Sequence, residues 1–184
     1  MKKYKKILIV THQYLPHVSP RTTRWKLLVD ELITNGHNVS ILTGMYPDFD
    51  TNNVEVLYFG NKNNINIVSN LREKSKQITS GDSIKKLFYG VLKKVYRFFI
   101  NYLAWPDYSM FWLYQVYKNR NKISKDYDVI ISVSLPFSSH IAAYVINKKV
   151  KKHWIMDIGD PFSLKVDAPE NNRFFYSGLN KRYE

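Results

Sequence analysis

Three short stretches hold the residues whose types and spacing suit chemistry: HQYLPHVSPRTTR at 12–24, SLPFSSH at 134–140 and MDIGDPFS at 156–163. In the first, Ser19 is placed to cap a helix opened by Pro20 or Arg21. Arg21 and Arg24 add fixed cationic donors suited to a phosphate. A helix start disfavours cations, so two arginines there ask for an anionic partner, or else serve surface solubility. In the second stretch, Ser138 or Ser139 can cap a helix, with His140 in its first turn. The helix dipole opposes protonation of such a histidine, and a neutral imidazole can exchange a hydrogen bond with a sugar hydroxyl. A lone histidine can equally be a packed core residue. In the third, Asp157 and Asp160 can act as a general acid–base pair, while Asp160 before Pro161 can equally form a turn. Two carboxylates with no third ligand nearby make a poor metal site, so no metal is expected.

The elements that must position these stretches follow from hydrophobic patterning. Residues 5–11 read as a buried strand, Arg21 to Asn35 as a helix ended by Gly36, and 39–43 and 54–59 as further strands. On that helix Trp25, Leu28, Val29, Leu32 and Ile33 follow the three-four spacing of one buried face. Residues 60–83 are rich in Asn, Ser and Lys and read as a surface loop. Two helical patterns follow, about 83–103 and 109–123, broken by Trp105-Pro106-Asp107. A strand at 128–134, a helix at 136–149 and a strand at 154–158 complete the pattern. Strands alternating with helices imply a Rossmann-like α/β sandwich, a mostly parallel sheet with helices on both faces. In such sheets ligands bind beyond the carboxyl ends of the strands, where all three stretches lie. The Gly-rich turn of dinucleotide-binding folds and the Walker pattern are absent.

The chain has 184 residues, 28 of them Lys or Arg against 15 Asp or Glu, and no cysteine. That length supports about one domain. Disulfide frameworks and thiolate chemistry are excluded. The basic surplus sits in residues 61–152, which favours a partner of negative charge. Nucleic acid is one reading, since tyrosines and phenylalanines interleave with the lysines, but no nucleic-acid recognition motif occurs. The segment SIKKLFYGVLKKVYRFFINYL favours the other. Its apolar residues, from Ile84 to Leu103, recur at three-four spacing, with Lys85, Lys86, Lys93, Lys94 and Arg97 mostly off that stripe. This pattern fits a helix lying on an anionic membrane surface, although a helix packed on a sheet gives the same spacing. The start, MKKYKKILIV, has too short an apolar run for a signal peptide, and no window approaches a membrane span. A cytoplasmic protein resting on the inner face of the cell membrane is expected.

Taken together, ILIVTHQYLPHVSPRTTRWKLLVDELITNGHNVSILT, WPDYSMFW, YDVIISVSLPFSSHIAA and HWIMDIGDPFS resemble, in order and spacing, the N-terminal domain of glycosyltransferase family 4 enzymes of the GT-B fold. The resemblance implies that Ser19, Pro20, Arg21 and Arg24 face an inter-domain cleft near donor phosphates or acceptor. It implies that His140 lies by the acceptor or the transferred sugar, so His140 and Asp160 are the candidate catalytic residues, and Ser138 and Asp157 join the first stretch as candidates for binding substrate or phosphate. Asp157 and Asp160 match the two acids of an Asp-x-Arg-Asp segment, in which Gly159 replaces the Arg. The implied function is acceptor binding in a retaining transferase that moves a sugar from a nucleotide donor to a lipid-linked or polysaccharide acceptor. No cofactor is implied, because the nucleotide sugar would bind mainly to a second domain. The end, GLNKRYE, resembles the start of a linker helix toward that domain, so a piece of an enzyme about twice as long is expected, inactive by itself.

Overall fold

A computed structural model describes residues 4–44, 54–60, 105–134, 136–159 and 177–183, and helical positions 87, 88, 90–92, 94, 95 and 98. Five strands form the sheet: β1 (Lys6–Val10), β2 (Asn38–Thr43), β3 (Glu55–Tyr58), β4 (Val129–Val133) and β5 (His153–Asp157). All four pairings are parallel and the order is β3-β2-β1-β4-β5. This is a Rossmann-like α/β fold. The order reverses between β1 and β4, and sheets of this kind bind ligands beyond the carboxyl ends at such a switch point.

The central strands β1 and β4 are short runs of Ile, Leu and Val, as strands buried on both faces require, whereas the edge strands β3 and β5 are partly exposed. The two-residue alternation of β1 splits the core. Ile7 and Ile9 pack with Trp25, Val29, Val39 and Ile41 on one face. Leu8 and Val10 pack with Leu42, Trp112, Val116, Ala142 and Ile146 on the other. Helix α1 (Pro20–Thr34) covers the first face. Helices α2 (Met110–Asn119) and α3 (Ser138–Val150) cover the second, giving three layers. A 3-10 turn, Arg120–Lys122, ends the second helical pattern, and α4 spans Ser177–Tyr183.

Helix α1 begins as its sequence predicts. The Ser19 hydroxyl accepts from the Thr22 backbone N–H at 3.2 Å, and the Ser19 N–H donates to Thr22 Oγ1 at 2.7 Å. Such a reciprocal cap satisfies two of the helix's orphan groups. The expected buried face needs one correction: Leu28 is 44% exposed. Thr22, Trp25 and Val29 are the buried residues of α1. At 100° per residue Leu28 falls on the flank of the stripe they define. Gly36 closes the helix with φ +83°, where a Cβ would also strike the Tyr4 ring at 2.6 Å.

The expected loop at 60–83 and most of the 83–103 helix lie outside the described residues. Those described between 87 and 98 are helical. Among the described residues, no helix is long and apolar enough to cross a membrane.

Candidate functional site

Three groupings gather at the carboxyl edge. On the α1 face, Asp157 at the end of β5 receives two donors from α1. Arg24 Nη2 forms an ion pair with Asp157 Oδ2, and Trp25 Nε1 donates to the same oxygen at 2.7 Å. The sequence placed these residues in separate stretches, and the fold brings them into contact. The anion that Arg24 calls for is thus supplied from within the chain. Half of the Arg24 side chain stays exposed, so its planar fork retains donors for an outside anion.

Ser134 ties β4 to β5 beside this pair. Its N–H and hydroxyl both donate to the Asp157 carbonyl, at 3.1 and 3.0 Å, and its Oγ accepts from the Gly159 N–H at 3.1 Å. Among the described residues, nothing stands within 4 Å of where a Cβ on Gly159 would be, the position where the resemblance expects an arginine. Arg21 lies at the α1 entry, partly exposed, with Ser19 and Pro20 before it. Asp160 lies outside the described residues.

The second grouping is a clamp that the sequence concealed. Asp107, read as part of a helix breaker, is 4% exposed and accepts four hydrogen bonds. Ser109 N–H and hydroxyl donate at 2.9 and 2.6 Å, and Ser138 N–H and hydroxyl at 2.8 and 2.7 Å. The carboxylate sits at the α3 N-terminus, where the dipole favours negative charge. It therefore occupies the anion position a phosphate would need there, and Ser138, fully buried, holds Asp107 in place.

His140 is also interior, 1% exposed. Its Nδ1 shares a hydrogen bond with Ser132 Oγ at 2.7 Å, and Trp154 Nε1 donates to that hydroxyl at 2.8 Å. This chain joins α3 to β4 and β5. His140 is thus positioned to hold the helix on the sheet, beneath the edge.

The third grouping surrounds His12, which follows β1 at the switch point. Its backbone is fixed on three sides: N–H to Ser139 Oγ at 3.1 Å, and carbonyl to Gly44 N–H at 3.2 Å and Thr43 Oγ1 at 3.1 Å. Its ring meets Trp112 and Tyr108 edge to face, with centroids 5.1 and 5.8 Å away. Burial pushes the imidazole down to about 4, with Asp107 opposing and His17 adding to the shift. His12 is therefore neutral at ordinary pH. Gln13 Nε2 donates to the Tyr108 hydroxyl at 2.8 Å on the exposed rim. Sequence reasoning passed over His12 because nothing in its spacing distinguishes it. The one available signal was its position, immediately past the first strand.

Among the described residues no cluster of three or more His, Asp or Glu could hold a metal ion. The outer stripe of helical positions 87–98 is open: Leu87, Phe88, Val91, Leu92, Val95 and Phe98 are 39–70% exposed. Lys94 is exposed beside them, while Lys85, Lys86, Lys93 and Arg97 lie outside the described residues. No family model, no curated protein and no solved structure matches this chain.

Proposed function

We propose that the chain is the acceptor-binding N-terminal domain of a retaining glycosyltransferase, which moves a sugar from a nucleotide donor to a lipid-linked or polysaccharide acceptor. The observation that carries this reading is the convergence of Arg24, Ser134 and Asp157 at the carboxyl edge of a parallel sheet. In this reading Arg24 contributes charge toward the donor phosphates, and catalysis rests on such electrostatic stabilisation rather than on a protein nucleophile. Asp157 orients the guanidinium. Asp160, three residues on in the sequence, remains the proposed acid–base group, with Ser19, Pro20 and Arg21 lining the phosphate side. The donor itself would be held mainly by a second domain.

The exposed apolar stripe at 87–98 supports a membrane-resting enzyme, since contiguous exposed apolar residues mark interaction surfaces. With Lys94 exposed beside it and further lysines interleaved in its sequence, an anionic lipid surface fits it best. This would bring a lipid-borne acceptor to the cleft.

The test is product formation from nucleotide sugars by this domain joined to its donor-binding partner, with wild type and Arg24→Ala compared. Transfer that Arg24→Ala leaves unchanged would remove the site assignment. For the membrane contact, the chain should sediment with phosphatidylglycerol vesicles. Binding that survives replacement of Lys85, Lys86, Lys93 and Lys94 by Glu would remove the docking surface.

A further inference from the structure

Trp112, 4% exposed, keeps its indole N–H buried without an acceptor among the described residues. His12 Nδ1, on the neighbouring ring, is likewise buried without a donor. Buried polar atoms are nearly always paired, and an unpaired one costs more than its bond would return. Two on rings whose centroids lie 5.1 Å apart call for a partner.

Their chemistry is complementary. An indole nitrogen can only donate, and an unprotonated imidazole nitrogen can only accept. His12 is neutral at ordinary pH because burial depresses it. Of its two nitrogens, only Nδ1 is sealed off without a partner, so the single proton is best solvated on Nε2, leaving Nδ1 a bare lone pair. A hydroxyl answers both atoms, giving its proton to Nδ1 and accepting from the indole. A phosphate diester or carboxylate has no proton for Nδ1, and an ammonium has no lone pair for the indole.

The surroundings suit a sugar. Tyr108 is 47% exposed and stands edge-on to His12, and Gln13 extends the polar rim. Aromatic rings beside neutral hydrogen-bonding groups match the apolar faces and hydroxyls of a pyranose. Gly44 makes the arrangement possible: a Cβ there would stand 2.5 Å from His12 Cδ2 and 2.7 Å from Trp112 Cδ1.

We propose that His12 and Trp112, with Gln13 and Tyr108 at the rim, form a subsite for one sugar ring, gripped by a single hydroxyl shared between the imidazole and the indole. Both atoms are covered in the structure, so a side chain beside them must shift for the hydroxyl to enter. His12 is here a positioning group. That the ligand is a sugar rests on the glycosyl-transfer reading above, whereas the demand for a hydroxyl does not.

The experiment is a nitrogen–proton NMR titration of the chain with methyl glucoside, galactoside and mannoside, taken to about 50 mM, past the millimolar affinity expected of one ring. The Trp112 indole and the His12 Nδ1 signals should move together and saturate with at least one glycoside. The Trp25 and Trp154 indoles, bonded to Asp157 and Ser132, should hold still. His12→Phe should weaken binding about tenfold or more. The subsite is overturned if no glycoside moves the paired signals, the result expected when a trapped water bridges the two atoms. It is equally overturned if the Trp112 shift persists in a folded His12→Phe. The wild-type Nδ1 signal decides should that variant not fold. Glycosyl transfer without these shifts removes the subsite and spares the enzyme. Shifts without transfer leave a sugar site and remove the enzyme.

Discussion

Arg24 and Asp157 stand 133 residues apart and form an ion pair across the carboxyl edge, with Trp25 donating to the same carboxylate oxygen. The contact joins α1 to the far strand β5 and fixes where the guanidinium points. Half of the Arg24 side chain and a quarter of Asp157 remain open to solvent. Water and salt screen such a pair, and exposed pairs contribute about 0–1 kcal/mol. A double-mutant cycle of Arg24→Ala and Asp157→Asn should therefore give a coupling below about 1 kcal/mol in urea unfolding. In transfer assays Arg24→Ala should lower turnover about tenfold or more. A large stability coupling with unchanged turnover would make the pair purely structural.

Asp107 answers four donors from two helix starts while almost wholly buried. Removing it leaves the Ser109 and Ser138 N–H groups and both hydroxyls without their acceptor. Asp107→Ala should cost about 3–5 kcal/mol, among the largest single losses in the domain. Asp107→Asn keeps one acceptor but turns a donor toward donors, and should cost about 1–3 kcal/mol. Equal stability of the Asn variant and wild type in chemical denaturation would contradict the arrangement.

Ser132, fully buried on β4, serves Trp154 and His140 at once. Ser132→Ala removes the acceptor of the indole and the partner of the imidazole, at about 1–3 kcal/mol. His140→Phe keeps the ring volume and should cost a similar amount. Both changes act through stability, so turnover per folded molecule should shift less than with Arg24→Ala. Fluorescence of Trp154 should change in Ser132→Ala with α3 still helical by circular dichroism.

The architecture was legible because patterning carries it. The Ile and Val runs of β1 and β4 and the Ser19-Pro20 helix start each obey one local rule, and the parallel order follows from the helices between strands. The charged edge was partly legible: the sequence named Arg24 and Asp157, but their pairing is a tertiary fact that no spacing encodes. Asp107 was hidden because a Pro-Asp pair reads as a turn, and its four donors come from positions 109 and 138. His140 shows the reverse case. The residue type suggested chemistry, and the period of α3 turned it into the core. Leu28 marks the limit of periodicity, since a flank residue and a face residue share the same spacing rule.

His12 sets a pH dependence whose direction follows from its burial. Its imidazole falls from an ordinary 6.5 to about 4 in the fold, with desolvation outweighing the attraction of Asp107, while His17 pushes the same way as burial. Between those values the unfolded chain binds a proton there and the folded chain does not. Stability from this group is therefore complete above about pH 6.5 and declines as the pH falls toward about 4. The displacement corresponds to roughly 3 kcal/mol across that window. Carboxylates also titrate in the lower part of it, but they do so in wild type and His12→Phe alike. The difference in unfolding free energy between the two proteins isolates the imidazole. Wild type should lose roughly 3 kcal/mol relative to His12→Phe between neutral pH and pH 4, read from urea unfolding at a series of pH values. Curves that run parallel would mean that His12 is already solvated in the folded chain, and its neutrality at the sheet edge would fall with them.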